Sequence, residues 1–537
     1  MSYGNQDKPA LTGAPRGRGG LLFKGAALSV LAALVLAGCG GGGGSSGLST
    51  QPSANQPGTS TPSVGSSDII QASELSANIC SAPRKGTDPS TGLPYPDKQG
   101  TYADEKNWLR AWIDETYLWY DEIPSSIRTI NYATPQDLFK DLRTPAVTAS
   151  GKPRDQFHFI YDTAVWQALT TSGIEPGYGF EVAILASTPP RDVRVAYTEP
   201  NTPASAAGIA RGARILFVDG VDVVTSNSVD ALNAALFPTA AGQPHTFRIQ
   251  DLDGTQRTIT LSSAQITKTP VQNVKTLDTP TGKVGYLLFN DHVATSERLL
   301  VDAVNQLKAA GVQDLVLDIR YNGGGTLAIA SELAYMIAGA NATNGKVFEK
   351  LEFNRKNPFG VTDAEASTPF YPTSLGFSVP AGQALPQLGL SRVTVLTGSG
   401  TCSASESIIN GLRGINVQVN VIGASTCGKP YGFIPQDNCG TTYFAIQFKG
   451  VNNLGEGDYA DGMAPTCSVP DDFNHALGDP AEARLAAALT FRDTGKCPAV
   501  TTATTLRSSV LDGEPLLSGK SPGRTGRFLR PGAFTGR

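Results

Sequence analysis

The segment Gly398–Gly414, GSGTCSASESIINGLRG, decides the fold of this chain. It follows VTVLT at Val393–Thr397, a run typical of a short buried strand. Apolar residues then recur at helical spacing, at Ile408, Ile409, Leu412 and Ile415. Ser403 therefore lies on a turn between a strand and a helix. A hydroxyl in that position is often only an N-cap, so this serine alone does not indicate a nucleophile.

A candidate base follows on the next predicted strand. The run VQVNVIG at Val417–Gly423 predicts that strand, and Lys429 comes shortly after it. A strand, a helix and a further strand return the chain to the same sheet edge, so the side chains of Ser403 and Lys429 are expected in one crevice. A lysine amine that burial keeps neutral can accept the proton of a serine hydroxyl. The spacing therefore favours a Ser–Lys hydrolytic pair.

Three motifs, in this order, resemble the C-terminal processing peptidases, also called tail-specific proteases. They are LDIRYNGGG at Leu317–Gly325, TCSASES at Thr401–Ser407 and GKP at Gly428–Pro430. The resemblance extends from Glu105 to Cys497. It implies a layered α/β peptidase core, related to the tricorn, crotonase and ClpP folds, with Ser403 as nucleophile and Lys429 as general base.

A glycine-rich segment supplies a candidate oxyanion hole. Gly323–Gly325, hereafter the glycine loop, follows a predicted strand and precedes a predicted helix, so its amides can point into the crevice. The resemblance implies that Gly324 or Gly325, together with Ala404 after the nucleophile, donates N–H groups to the oxyanion. The alternative is a phosphate-binding loop, but no P-loop or dinucleotide fingerprint accompanies it.

Because of two departures from the family pattern, the residue that orients Lys429 is unassigned and a second candidate base has to be considered. Family members often carry a glutamine four residues after the lysine, where this chain has Phe433, and Gln436 is the nearest candidate. Tricorn-like relatives use Ser, His and Glu, and His158 lies one position from where they carry their histidine. A pair of Ser403 and His158, with Glu456 or another acid behind it, is therefore an alternative mechanism. Otherwise His158 is an ordinary half-buried histidine.

The N-terminus predicts an exported lipoprotein. Residues 1–38 resemble a signal peptide, because basic residues precede a short apolar run at Ala26–Leu36 and LAGC ends at Cys39. Lipidation of Cys39 would anchor the protein to a membrane, at the outer membrane or on the periplasmic or extracellular face of the cell envelope. The alternative is an ordinary signal peptide with an incidental cysteine. Residues 39–68, rich in Gly, Ser, Thr and Pro, predict a disordered linker.

The remaining chain divides into three folded regions and a tail, and its fold class is α/β, or mixed α+β overall. We expect a helical N-terminal segment at 69–170, a PDZ-like domain at 171–268, a serine peptidase core at 269–498 and a disordered tail at 499–537. Helices are predicted at Lys106–Tyr120, at Pro135–Leu142 and, capped by Asp479, at Asp479–Arg492.

The inserted region resembles a PDZ domain. Its predicted elements are strands at Phe180–Leu185, Val193–Tyr197, Ile215–Val218 and Thr246–Gln250, and a helix at Val229–Phe237. In this interpretation the loop Gly177, Tyr178, Gly179 and Phe180 captures the C-terminal carboxylate of a peptide, which adds to the sheet as a strand. The alternative is a small β domain that only packs against the core.

Six cysteines besides Cys39 favour disulfides in an exported chain. The pairs we expect are Cys439–Cys467, Cys80–Cys497 and Cys402–Cys427, the last of which would brace the turn at Ser403. Cys402 is a weak candidate nucleophile, since no histidine lies near it in the sequence. No C-x-x-C motif or Cys/His cluster occurs, so neither a metal site nor a cofactor is predicted.

The sequence thus predicts a membrane-anchored, extracytoplasmic serine endopeptidase that cleaves unfolded or C-terminally exposed polypeptides. Self-association into a homo-oligomer is compatible with it. The net charge of −4, with no basic stripe, argues against nucleic acid as a partner. Two alternatives are a catalytically inactive cell-surface protein that binds peptides or glycans, and a crotonase-like enzyme acting on thioesters, which the export signal disfavours.

Overall fold

The computed structural model of the chain describes residues 72–89 and 91–499, and the backbone of a short strand at Arg527–Phe528. The predicted signal peptide, the lipidation site at Cys39 and the linker lie outside the described residues, as does the rest of the tail. Among the described helices, none combines the length and the apolar character that a membrane crossing requires.

The N-terminal segment is helical, as predicted. Its elements are β1 (Ile79–Cys80), β2 (Lys98–Gln99), α1 (Tyr102–Thr116), α2 (Pro135–Asp141), β3 (Phe159–Asp162) and α3 (Thr163–Ser172). Helix α1 begins earlier than predicted, because the Thr101 side chain caps it and Asp104 completes a capping box. Trp108 and Trp112 stack with ring centroids 5.6 Å apart in the core of this segment.

The PDZ-like region is an antiparallel sheet with one main helix. Its elements are β4 (Ile174–Gly177), β5 (Phe180–Ala186), β6 (Asp192–Thr198), α4 (Pro203–Ala206), β7 (Arg214–Val218), β8 (Val221–Asp222), α5 (Val229–Leu236), β9 (Pro244–Gln250), β10 (Gln256–Ser262) and β11 (Ala264–Thr267). The strand order is β10-β9-β7-β6-β5, with β8 on β7, while β4 pairs with β11. Each predicted strand lies within an observed one, and β4, β8, β10 and β11 are additional.

The remaining elements build the larger core. They are β12 (Val271–Thr279), β13 (Gly282–Phe289), α6 (Ser296–Ala309), β14 (Asp314–Asp318), β15 (Gly325–Thr326), α7 (Leu327–Thr343), β16 (Val347–Phe353), β17 (Ser367–Pro369), β18 (Arg392–Thr397), α8 (Ala404–Arg413), β19 (Gln418–Gly423), β20 (Tyr431–Gly432), β21 (Gln436–Asn438), β22 (Thr441–Phe444), β23 (Phe448–Val451), β24 (Cys467–Ser468), α9 (Ala483–Thr494) and β25 (Arg527–Phe528).

The central sheet of the core has the strand order β12-β13-β14-β18-β19-β24. Strand β12 is antiparallel to β13, and the other pairs are parallel. On β13, Leu287 and Phe289 pack with α6, α7 and α8, whereas Tyr286 and Leu288 face α9. Because helices cover both faces, the parallel strands are almost continuously apolar. This architecture confirms the predicted mixed α/β fold class.

A buried charge cluster joins the PDZ-like region to the core. Asp471 accepts a hydrogen bond at 2.8 Å from Arg211 of the PDZ-like region. It accepts another, also at 2.8 Å, from Arg320, which lies between the end of β14 and the glycine loop. Arg320 is fully buried and also binds Glu482 in a bidentate pair at 2.7 and 2.9 Å. The two regions therefore share one buried ion cluster, in which Asp471 pairs with an arginine from each of them.

The predicted cap of the closing helix is wrong. Helix α9 begins at Ala483, and the side chain of Glu482 caps it by accepting the N–H of Leu485 at 3.0 Å. Asp479 instead accepts the N–H of Ala481 in the preceding turn, at 2.9 Å. The carboxylate that also binds Arg320 thus fixes the start of the helix.

Two of the three expected disulfides are also wrong. The structure pairs Cys80 with Cys439, Cys402 with Cys427, and Cys467 with Cys497. The segment before α1 lies against the β21–β22 turn, where the Asn78 N–H donates to Asn438 at 2.8 Å, and this contact brings the first pair together. Cys467 lies on the edge strand β24, which the chain reaches again after α9.

Candidate active site

Ser403 occupies the turn between β18 and α8 in a strained backbone conformation. Its φ of 59° and ψ of −118° are uncommon for a residue with a side chain. The residue is fully buried, and within the described part of the chain its Oγ makes no hydrogen bond. A strained strand-to-helix turn that presents an uncommitted hydroxyl is typical of a serine nucleophile.

Hydrogen bonds tie this turn to the loop that follows β14. The Thr401 hydroxyl donates to the carbonyl of Ile319 at 2.9 Å, and the Cys402 N–H donates to the carbonyl of Asn322 at 3.1 Å. Because β14 and β18 are parallel neighbours, both loops leave the same sheet edge. The structure therefore brings Ser403 and the glycine loop together, as the sequence predicts.

Gly324 lies directly against the nucleophile turn. Its φ is +100°, and a Cβ there would lie 2.9 Å from both the Ser403 Cβ and the Ala404 nitrogen, so only glycine fits. Ala404 is the first residue of α8, where backbone N–H groups lack intrahelical acceptors and favour an anion. The Gly324 N–H, by contrast, donates to the Asn322 side chain at 2.9 Å. Two of the predicted oxyanion donors are thus adjacent, and Asn322 holds one of them.

His292 braces the third predicted donor, Gly325. A Cβ on Gly325, whose φ is +135°, would lie 2.9 Å from the Cβ of His292. The His292 Nδ1 lies 3.0 Å from Asn322 Oδ1, the same oxygen that accepts the Gly324 N–H. Sequence reasoning missed both His292 and Asn322. The asparagine lies in the quoted LDIRYNGGG motif, but only the fold shows that it holds the loop.

Lys429 is fully buried, which is rare for a lysine. Its Nζ lies 3.7 Å from the ring centroid of Phe433 and 4.7 Å from that of Phe157. Loss of water disfavours the ammonium form, whereas the ring faces attract it. Because the Ser403 Oγ has no hydrogen-bond partner among the described residues, the Ser403–Lys429 hydrogen bond is not formed in this structure.

Glu406 connects the two predicted catalytic residues through their backbones. Its Oε2 accepts the N–H groups of Ser403 at 2.8 Å and Lys429 at 2.9 Å. Its Oε1 accepts the N–H of Gly428 at 2.9 Å and the Thr426 hydroxyl at 2.5 Å. Burial raises the pKa of the Glu406 carboxyl, although these hydrogen bonds oppose the rise. Sequence reasoning missed this residue, yet its capping-box spacing from the serine is a usable signal.

The disulfide Cys402–Cys427 is confirmed. It joins the residue before Ser403 to a residue just before Lys429, with the Cα atoms 5.2 Å apart. The two sulfurs and a Glu406 oxygen lie within 4.8 Å of one another, but a disulfide leaves neither sulfur as a thiolate ligand. The bond therefore acts as a second brace between the nucleophile turn and the segment that carries Lys429.

Gln436, the nearest candidate for a residue that orients Lys429, is not in the buried surroundings of the lysine amine. Gln436 is exposed on β21, where its amide donates to the carbonyl of Asp437 at 3.2 Å. The position four residues after Lys429 is filled by Phe433, which is fully buried. An aromatic ring face therefore stands where the family pattern places a hydrogen-bonding amide.

His158 forms a buried pair with Asp155. The His158 Nδ1 lies 3.1 Å from Asp155 Oδ2, and the two side chains are 1% and 0% exposed. The Nε2 makes no hydrogen bond within the described residues, so the predicted alternative Ser403–His158 contact is also not formed. Burial alone would raise the pKa of Asp155, but His158 and Tyr117 hold it below its usual value. The imidazole is thus buried, with an acid behind it, while the residue as a whole is half-buried.

The acid named for the alternative mechanism lies elsewhere. The Glu456 carboxylate accepts a hydrogen bond from the Asn452 side chain at 3.2 Å, and the backbone carbonyl of Glu456 accepts one from Asn410 on α8 at 2.9 Å. Asp155, three residues before His158, occupies the position behind the imidazole.

The four predicted substrate-binding residues line one cavity of about 780 Å³. Val182, Leu236 and Phe237 contribute apolar wall between β5 and α5. Tyr178 is fixed there by its hydroxyl, which donates to the carbonyl of Ala235 at 2.8 Å. Gly179, at a φ of +89°, leaves no room for a Cβ, since Thr202 would be 2.2 Å away. The groove between a strand and a helix has the form that strand addition of a peptide requires.

The chain matches two models of one peptidase family. Residues 283–435 match Peptidase family S41, and residues 104–157 match the Peptidase S41 N-terminal domain. The first range contains the glycine loop, Ser403, Glu406 and Lys429. The second contains α1, α2 and Asp155.

Curated relatives include two C-terminal processing enzymes. The chain is 32% identical over 169 residues to a carboxyl-terminal-processing protease of Picosynechococcus, covering 31% of this chain and 39% of that one. It is 23% identical over 336 residues to carboxyl-terminal-processing peptidase 2, chloroplastic, of Arabidopsis thaliana, covering 60% and 58%. The matched region therefore spans less than two thirds of either relative.

A solved structure supports the same fold. The putative S41 protease of Bacteroides fragilis superposes with a TM-score of 0.56 at 24% identity, covering 75% of this chain and 98% of that one. The likeness shows the fold alone, and it agrees with the family models in the region that holds the site. Residues 104–157 and 283–435 thus match peptidase family S41, and the curated relatives named above are C-terminal processing enzymes.

Proposed function

We propose that this chain is a serine endopeptidase in which Ser403 is the nucleophile and Lys429 the general base. The observation that carries the proposal is the uncommitted, buried hydroxyl of Ser403 on a strained turn, with its backbone linked to that of Lys429 through Glu406. A structural serine at a helix start would be expected to use its oxygen as a cap.

In the proposed reaction the Ser403 Oγ attacks the carbonyl carbon of the scissile peptide while Lys429 takes its proton. The oxyanion forms beside the N–H of Ala404 and the glycine loop. Lys429 then protonates the leaving amine, and water hydrolyses the acyl-enzyme by the same route. For the Gly324 N–H to take part, it must exchange the oxygen of Asn322 for that of the substrate.

The proposed substrates are unfolded or C-terminally exposed polypeptides. The names of the curated relatives and the cavity at Gly177–Phe180 support this choice. Peptide C-termini would bind there by strand addition, with an apolar last side chain against Leu236 and Phe237. We further propose that the protein works outside the cytoplasm, anchored through a lipid on Cys39, because a lipobox-like sequence precedes that residue.

The test of the nucleophile uses a covalent label as well as activity. We expect a serine-reactive phosphonate or sulfonyl fluoride to modify Ser403, as located by peptide mass spectrometry. Ser403→Ala should abolish both labelling and cleavage of an unfolded protein while changing the melting temperature by only a few degrees. A Ser403→Ala variant that cleaves at the wild-type rate would remove this residue from the mechanism.

The buried His158–Asp155 pair favours a second candidate base. Its imidazole has an acid behind it, as in a Ser–His–acid triad, and it stacks on Phe139 with ring centroids 3.9 Å apart. Phe139 belongs to the same apolar cluster as Phe157, the neighbour of Lys429. Single-turnover rates of Lys429→Ala and His158→Ala decide between the bases, because loss of the true base should cost about 10²–10⁴-fold. A wild type that binds C-terminal peptides but cleaves no unfolded substrate would favour a non-catalytic binding protein.

A further inference from the structure

The C-terminal tail returns to the peptidase core as strand β25. Arg527 pairs with Gly325 and Phe528 with Thr326, in parallel register. The Cα atoms of β25 also come within 8 Å of those of β20. The backbone of the tail therefore runs between β15 on one side and β20 on the other.

Both of these strands border the candidate catalytic residues. Strand β15 begins directly after Gly324, which packs against Ser403. Strand β20 begins at Tyr431, two residues after Lys429. A backbone that lies between them occupies the crevice between the nucleophile turn and the segment carrying the base. Backbone pairing with strands at a cleft is the general way in which an extended peptide binds a protein.

The connecting segment is long enough for the tail to reach its own crevice. The described core ends at Ala499, and an extended chain covers about 3.3 Å per residue, so the segment before Arg527 can span many tens of ångströms. The tail therefore needs no second copy of the chain to supply it.

We infer that the C-terminal segment around Arg527–Phe528 is a ligand of the peptidase crevice of its own chain, which it occupies as a strand in competition with substrate. This inference rests on the proposed function for its effect on substrate. Tethering gives such a segment an effective concentration on the order of millimolar, so even a millimolar affinity would half-fill the crevice. If the tail fills the crevice in half of the molecules, the apparent KM for substrate rises about twofold.

The first test uses the full-length chain. Phe528→Pro removes the N–H that a strand needs, whereas Leu517→Pro makes the same change outside β25. With an internally quenched unstructured peptide as substrate, we expect Phe528→Pro to lower the KM at least about twofold with kcat unchanged. Leu517→Pro should match the wild type. Equal KM values for all three proteins would overturn the inference.

The second test requires no turnover, so it separates this inference from the proposed catalysis. A fluorescein-labelled peptide of residues 518–537 is titrated, by fluorescence anisotropy, into Ser403→Ala that ends at Val500. The melting temperature of this truncated Ser403→Ala protein is compared with that of full-length Ser403→Ala. Saturable binding that a scrambled peptide does not show supports the inference even if no substrate is cleaved, and no binding overturns it. A wild-type KM that rises with enzyme concentration would assign the tail to a second copy and overturn the intramolecular contact.

Discussion

The carboxylate of Glu406 lies 2.8 Å from the backbone nitrogen of Ser403, three residues before it on the same helix start. The same oxygen accepts the N–H of Lys429. One buried group thus sets the distance between the two segments that carry the proposed nucleophile and base. Its position matters because reacting groups misplaced by about 1 Å can lose about 10²-fold in rate.

Glu406→Gln is expected to lower kcat by about 10–100-fold with little change in KM. The carboxamide keeps the shape but offers an NH₂ to two of the four donors, because each carboxylate oxygen accepts from two of them. At least one buried N–H is then left unpaired, at a cost of about 1–3 kcal/mol. Steady-state kinetics and urea denaturation measure the two effects.

Glu456→Gln is the matched control for that change. Its carboxylate binds Asn452, away from the nucleophile turn, so kcat should stay at the wild-type value. Equal losses of activity in the two variants would mean that Glu406 has no special role in positioning.

Gly324→Ala should reduce kcat by at least about 10²-fold, since removal of an oxyanion donor alone costs that much. The new Cβ would lie 2.8 Å from the Cys402 carbonyl and 2.9 Å from the Ala404 nitrogen, so the glycine loop must move away. Gly382→Ala separates backbone strain from this contact, because Gly382 has a φ of +85° and nothing within 4 Å. It should lose some stability and retain its activity. Full activity of Gly324→Ala would contradict this assignment.

The disulfide Cys402–Cys427 is expected to support catalysis as well as stability. Its two cysteines are 25 positions apart, and those of Cys467–Cys497 are 30 positions apart. Because each bond lowers the entropy of the unfolded chain by a similar amount, each should stabilise the fold by about 3–4 kcal/mol. The two double serine variants should therefore unfold at similar urea concentrations. Only the Cys402→Ser, Cys427→Ser protein should also lose kcat, measured where both variants remain folded. Similar kcat values would restrict both bonds to stability.

Because of Asp471, we expect the stability of the fold to depend on pH in the acidic range. Burial would raise its pKa, but Arg484, Arg320 and Arg211 bring it well below the ordinary value of 3.8. A lowered pKa means that the contribution is present above pH 3.8 and is lost as the pH falls. Asp471→Asn should lower the free energy of unfolding by about 3–5 kcal/mol at pH 7. At pH 3 the difference in unfolding free energy between the variant and the wild type should be smaller by about 1 kcal/mol.

Urea unfolding at the two pH values measures this gap, with Asp363→Asn as the control. The Asp363 side chain is 91% exposed, so its replacement should change little at either pH. A gap for Asp471→Asn that stays constant from pH 7 to pH 3 would rule out the charged cluster as the cause.

Local patterns suffice for much of this fold. The apolar periods of β13, β14, β18 and β19 locate the central sheet, and the order of strands and helices brings Ser403 near the glycine loop through parallel pairing. These features depend on neighbours in the sequence or on general rules of handedness. The same holds for Cys402–Cys427, because only one helix and one strand lie between the two cysteines.

Contacts between segments that are distant in the sequence could not be predicted from such local patterns. Cys80 meets Cys439 only because the N-terminal segment packs on a hairpin of the core. Helix α9 starts at Ala483 rather than at Asp479, because its cap is Glu482, whose carboxylate also binds Arg320. In each instance a tertiary contact, rather than local propensity, decides the outcome.

The bond between Cys80 and Cys439 spans 359 positions of the chain. Its second cysteine is synthesised after both Ser403 and Lys429, so this cross-link cannot close until the whole of the proposed catalytic apparatus has left the ribosome. If the protein is exported, the bond also has to wait for an oxidising compartment. Covalent completion of the fold would then coincide with the arrival of the protein in that compartment.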